Sequence, residues 1–294
     1  MVINHETLQS LFRTLSMRFE EGVQRKPAQD LSFMSFDVNS SSEANEYPWV
    51  DDLGKWREWL GDRVYANIKA HLHRVPNRDF EKSHQIHKNK LADDTYGMYG
   101  DLVAMTGAGW PQLLNDIRVE VITGNTVCFT GKALFANDHA YGGNTIDNLV
   151  TDALSATSFE AAFTAAAAWK FANDDLIKPL WTHLVHGPKL RSTAFNIVDA
   201  EKIVSGGAAI DNPNYKRCIR AELPDLAGTY DDYWMLVDAS GMIRPVCTQI
   251  RETPSPLMDT DPVRVKTTGY VDFLADGRAA ASPTFPHLVY GGRL

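Results

Sequence analysis

One short stretch of this chain carries the opposite charge from everything around it. Residues 55–90 hold nine Lys and Arg against four Asp and Glu, a net of +5, whereas residues 1–54 stand at −5 and residues 91–294 at −8. Such a cluster can be a nucleic-acid patch, a solvated face, or an arm laid over an acidic protein surface. The whole chain, at −8, lacks the surplus of Lys and Arg that a broad nucleic-acid surface needs to neutralise phosphates. The basic stretch therefore reads as a local device, and its pattern decides what kind.

Residues 63–75, RVYANIKAHLHRV, alternate, with Val64, Ala66, Ile68, Ala70 and Leu72 on one side and Arg63, Tyr65, Asn67, Lys69, His71 and His73 on the other. Period two predicts a strand. PNRD at 76–79 is turn chemistry and FEKSHQIHK reads as a returning strand, so a long basic hairpin is expected with His71 facing His84. An isolated two-stranded hairpin is marginal in water and should lie on another surface. Ahead of it, WVDDLGKWREWLGDR at 49–63 holds three of the seven tryptophans. Trp56 and Trp59 beside dense charge fit either a core or a buried interface, where Trp and Arg are enriched.

Elsewhere the periodicity changes. Leu8, Leu11, Phe12, Leu15 and Phe19 mark one face of a docking helix over residues 1–20, followed by a long polar passage that reads as an extended arm. Asp93, Asp94 and Thr95 are cap candidates for a helix from near Tyr96 to Gly124, with Pro111 expected to kink or restart it. Thr157 and Glu160 suggest a capping box for SFEAAFTAAAAWKFA. LWTHLVH at 180–186 reads as a strand, KLRSTAFNIVDAEKIV as the helix after it, and SGGAAIDNP as a loop. YWMLVDA and MIRPVCTQIRE read as strands joined by a tight turn, ahead of closing strands in VRVKTTGYVDFLADGRAAASP.

Chemistry is sparse. Cys128, Cys218 and Cys247 form no CxxC pair and predict neither a disulfide framework nor a thiolate zinc site. No HExxH, GxSxG, Walker loop or GxGxxG occurs, and the GAG and SGG glycines lack the strand and helix that a phosphate cradle requires. His71, His73, His84 and His87 are the one constellation suited to a metal, though a site needs further ligands and support. Asp138 and His139 read as a turn with a hydrogen-bonded histidine. No catalytic, cofactor-binding or metal residue is assigned and no cofactor is expected. No secretory signal or apolar run of eighteen residues is visible, so the chain is expected to be soluble, without a membrane partner, and to stay where it is made.

Four stretches are similar to one known family: VNSSSEANEYPWVDDLGKWREWLGDR at 38–63, FEKSHQIHKNKLADDTYGMYGDL at 80–102, LFANDHAY at 134–141, which looks like that family's FFxxxHPxY, and LWTHLVHGPKLRSTAFNIV at 180–198. The chain resembles the major head (capsid) subunits of Mu-like phages, in the same order and most strongly in its first half. Ala136 and Ala140 stand where an aromatic or Pro is expected.

The resemblance implies an α+β chain with the shell fold of tailed-phage and herpesvirus major capsid proteins. Its parts would be an N-terminal arm (1–54), an extended-loop hairpin (55–94), a peripheral domain with a spine helix (95–149), an axial domain (150–260) and return strands (261–294). It implies a structural protein, not an enzyme. Copies would form pentamers and hexamers of an icosahedral head around double-stranded DNA, without sequence-specific binding. Scaffold, portal and decoration proteins would be further partners, with assembly in the host bacterial cytoplasm and a final place in the virion. The expected subunit contacts are Trp56, Trp59, Arg63, Lys69, His71, Arg74, Arg78, Lys82, His84 and Lys88. Two other readings stand beside it: a cellular nanocompartment shell of the same fold, and a metal-dependent enzyme using the hairpin histidines.

Overall fold

The computed structural model describes residues 4–27, 29–50, 58, 70–94, 97–205 and 207–292. The first half contains α1 (His5–Val23), β1 (Ser35–Asn39), β2 (Ala44–Val50), β3 (Ala70–Pro76), β4 (Arg78–His87), α2 (Lys88–Ala92), α3 (Met98–Thr123), β5 (His139–Tyr141) and β6 (Asn144–Ile146). The second contains α4 (Ala156–Ala167), β7 (His183–His186), α5 (Arg191–Ala194), β8 (Lys202–Ser205), β9 (Ala208–Asp211), β10 (Ile219–Glu222), β11 (Trp234–Val237), β12 (Val246–Met258), α6 (Pro262–Thr268), β13 (Tyr270–Pro283) and β14 (Val289–Gly292).

The amphipathic start forms α1 as its spacing predicts. Asn4 and Thr7 close a reciprocal cap at its N-terminus, satisfying donors that the first turn leaves free. Leu8, Leu15 and Phe19 are buried against Val103 of α3 and Val271 and Phe273 of β13, which at ~2 kcal/mol per side chain contributes about 6 kcal/mol. The two helices touch backbone to backbone. A Cβ on Gly22 would lie 2.0 Å from the Ala104 carbonyl oxygen, and one on Gly107 2.2 Å from that of Phe19. Close approach, not phosphate binding, is what the Gly107 position requires.

The N-cap of α3 is Gly97 rather than one of the expected residues, although the Asp94 carboxylate accepts from the amides of Met98 and Tyr99 at 3.0 Å each. The helix does not restart at Pro111; it runs through it as one 26-residue element. Buried side chains on both sides of the proline, from Val103 and Trp110 to Leu114 and Ile117, hold both halves against the body. The polar passage after α1 is also less free than its composition suggests. Leu31 and Met34 are core residues, and β1 lies parallel beside β12. Arg118 of α3 fastens that strand, bonding Asp37 at 2.6 Å, Thr248 at 3.0 Å and Asn115 at 3.0 Å.

Two four-stranded sheets carry the body, in the orders β1-β12-β13-β4 and β10-β7-β11-β14. The second is buried on both faces. Leu184, Trp234 and Leu236 enter one core with Phe159 and Ala162 of α4, while Val185, Met235 and Val237 enter another with Val119 and Ile122 of α3. Short uninterrupted apolar runs such as WMLV are what a doubly covered strand requires.

The expected hairpin of 63–75 with 80–88 is corrected. β3 pairs antiparallel with β2, Trp49 opposite His71, while β4 pairs with β13, placing His84 opposite Phe273 rather than His71. Partner choice is set by the long β13 strand and by β2, neither of which a local turn signal reveals. The α4 cap is Ser155 with Ser158, not Thr157 with Glu160, and α4 ends at Ala167. The helical stretch after β7 stops at Asp199, because Ala200 leaves the helical region at ψ 123° and the β-branched Ile203 and Val204 enter a strand. β11 and β12 are not a hairpin either: they belong to different sheets.

Candidate functional site

The basic stretch divides between two places. β2 and β3 form a separate two-stranded ribbon, whereas β4 is the edge of the first sheet, and of the ten expected contact residues only the described ones can be placed. Trp56, Trp59, Arg63 and Lys69 lie outside the described residues. His71 and Arg74 are on β3; Arg78, Lys82 and His84 are on β4, with Lys88 opening α2. These six do not converge on one patch.

The ribbon is sewn to the body at its root. Gln249 of β12, 1% exposed, donates to the Val75 carbonyl at 3.0 Å and to Asn77 Oδ1 at 2.8 Å, and accepts from the Tyr47 hydroxyl at 2.9 Å. Burial pushes the Tyr47 phenol up to about 12, so it stays a donor. His73 Nε2 lies 2.8 Å from Ser282 Oγ, and burial lowers its pKa. Tyr47 stacks on Trp49 at 5.7 Å, Trp49 meets Phe285 edge-on at 5.0 Å, and His71 approaches Phe129 at 5.8 Å. At its far end Val50 is paired with Ala70, so the chain leaves and returns at adjacent points. Along the ribbon Leu72 is 72% exposed and Arg74, opposite Glu46, is exposed too.

Most of the polar groups on β4 are engaged within the protomer. His84 Nε2 lies 2.7 Å from Thr106 Oγ1 of α3, Arg78 pairs with Glu120 at 2.6 Å and sits over the Phe80 ring, and the Lys88 ammonium donates to the Lys266 carbonyl at 3.3 Å. Lys82 is exposed and stands on the wall of an open apolar groove of about 240 Å³ lined by Phe80, Trp110 and Leu113.

No catalytic arrangement emerges among the described residues. Among the described residues no group of three or more His, Cys, Asp or Glu is placed to hold a metal ion. His139 is fully buried, with Nδ1 2.9 Å from Thr130 Oγ1 and 3.8 Å from Cys128 Sγ. Burial lowers the histidine and raises the thiol, so both stay neutral and no thiolate nucleophile forms. Cys218 and Cys247 are likewise free and buried, each pushed up to about 11 by desolvation. Among the described residues no helix is long and apolar enough to cross a membrane.

Gln249 escaped sequence reasoning, although a glutamine inside the apolar run VCTQI was a signal for a buried clamp.

Residues 8–152 match the family described as Mu-like prophage major head subunit gpT. The chain is 24% identical over 169 residues to the Mu-like prophage FluMu major head subunit of Haemophilus influenzae, covering 57% of this chain and 54% of that protein. It is 23% identical over 141 residues to the major capsid protein of Escherichia phage Mu, covering 47% and 46%. Over residues 8–152 the chain is thus similar to the Mu-like major head subunits. Its matched part spans about half the length of those curated relatives. In shape, the chain follows a chain of the bacteriophage JBD30 procapsid with a TM-score of 0.59 and 18% identity, covering 98% of this chain and 75% of that one. The fold is the α+β shell fold of tailed-phage major capsid proteins, as the sequence resemblance implied.

Proposed function

We propose that this chain is the structural subunit of a phage-type head, assembling with copies of itself as pentamers and hexamers into an icosahedral shell around double-stranded DNA. What carries this reading is the coincidence of a head-subunit sequence over residues 8–152 with the capsid fold over nearly the whole chain. The body offers no catalytic constellation among its described residues, and β3, part of the extended loop of this reading, pairs with β2 in a ribbon that leaves the body at one root. In this reading the loop reaches over an acidic neighbour, anchored by Trp56 and Trp59. Arg63, Lys69, His71, Arg74 and Lys82 steer and register the contact, and buried apolar surface supplies most of the affinity. Arg78, His84 and Lys88, whose polar groups bond within the protomer, would define the strand's position rather than steer. Domain roles follow: 1–54 as the arm side, 55–94 as the extended loop, 95–149 and 261–294 as the peripheral domain and 150–260 as the axial domain. Scaffold, portal and decoration proteins complete the particle, assembly takes place in the bacterial cytoplasm, and the product is the virion.

Charge reversal at Arg63, Lys69 and Arg74 together tests the contact. The expected result is a folded monomer by circular dichroism with no shells by electron microscopy; wild-type shells from that variant overturn the role of the loop. A nanocompartment of the same fold is the other reading, and purified native particles containing a cargo enzyme instead of DNA decide for it.

A further inference from the structure

Another two-stranded ribbon, β8–β9, is built unlike β2–β3. From Ile203 to Ile210 it carries no charged side chain, in a chain whose net charge is −8. Every residue of β9 is exposed, Val204 is 80% exposed and Ile210 44%. The ribbon is its own two-stranded sheet, so among the described residues both outer edges have unpaired backbone groups. Its root is rigid. The buried Asn212 amide donates to the carbonyls of Ile197 and Ala200 at 2.9 and 2.7 Å, and buried Asn214 donates to Glu160 at 2.8 Å. An uncharged apolar ribbon with two open edges is an aggregation hazard unless something covers it. This one is held out from the body rather than folded back onto it.

We propose that the β8 edge of this ribbon in one copy of the chain pairs with the β9 edge of the next copy, head to tail around a rotation axis. The inference rests on the shell reading, which supplies the second copy. Lys202 and Asp211 sit opposite each other at the ribbon's root, one on each strand. When neighbouring ribbons point the same way, β9 against β8 extends the antiparallel ladder and brings Asp211 beside the neighbour's Lys202. The alternatives, β8 beside β8 or β9 beside β9, run parallel and set like charges together, which repels. Two edges that are different but complementary make a heterologous contact, the kind that closes rings. The uncharged window also lets acidic copies approach without mutual repulsion.

The test uses the full chain. Val204→Glu with Ile210→Glu should leave a folded monomer and lower shell yield, counted by electron microscopy, by at least about tenfold. Lys202→Asp and Asp211→Lys should each reduce yield, and the double exchange should restore it. A second measurement does not depend on that glutamate variant folding. Shells mixed from Lys202→Cys and Asp211→Cys chains should form an oxidised dimer that neither gives alone, because Cys128, Cys218 and Cys247 are buried and do not compete. Wild-type shells with glutamate variants that assemble normally, or with no excess dimer in the mixture, overturn the ribbon contact alone. Wild-type protein that forms no shells overturns the shell reading itself.

Discussion

The two ribbons differ in where their stability comes from. β2–β3 is fastened by Gln249, Ser282 and an aromatic run through Tyr47, Trp49 and Phe285, all within one protomer. Among the described residues, β8–β9 is fastened at its root by Asn212 and Asn214 and offers its strands to solvent. A two-stranded element with no third strand needs a surface to lie on. The first finds it on its own body, and the second, in the reading above, on a neighbour.

Gln249→Ala should break this contrast most strongly. It leaves the Val75 carbonyl, the Asn77 amide oxygen and the Tyr47 hydroxyl without their partner, and at ~1–2 kcal/mol per stranded group the cost is about 4 kcal/mol. Urea unfolding of the monomer measures it, and a loss below about 1 kcal/mol would mean that the clamp contributes little.

Acid should come next, acting on the first ribbon only. His287 is buried between Tyr141, 2.9 Å away, and Phe285, and burial lowers its pKa to about 4 despite the opposing charge of Asp238. The unfolded chain binds this proton at about 6.5, so stability is full above that pH and falls as the pH drops towards 4. The shift corresponds to about 3 kcal/mol. Since Phe285 supports Trp49, hydrogen exchange in β2–β3 should accelerate below pH 6 relative to its intrinsic rate, with β8–β9 unchanged. Equal response in both ribbons would separate His287 from the first root.

Asn212→Ala should have the smallest effect, about 2 kcal/mol, from carbonyls left without a donor. Exchange should rise in β8–β9 alone. Spread of the change into β2–β3 would show that the two roots are coupled.

The elements written in local periodicity were legible. α1 and α3 follow from apolar spacing. Where partner choice is distant, local patterns misled. The turn expected at 76–79 does not form: only Asn77 separates β3 from β4, and the two strands belong to different sheets. β2 was hidden because Pro48 and the polar residues around it look unlike a strand, although an edge tolerates Pro. In sequence β8–β9 looks like helix and loop, since KIV continues the apolar spacing of the preceding helix and the two glycines suggest only a turn. At the candidate site, residue types pointed to contacts, but the divide between His84, bonded to Thr106, and Arg74, exposed on the ribbon, appears only once the strands are paired.

The pairing of Val50 with Ala70 holds the two ends of the interval between them side by side, as a fixed mouth. Lengthening a closed loop adds little entropy, about 0.6 kcal/mol for each doubling. The mouth can thus carry inserts of very different length without disturbing Gln249 below it. In a particle made of many copies, the same insert would be displayed once per subunit at a regular spacing.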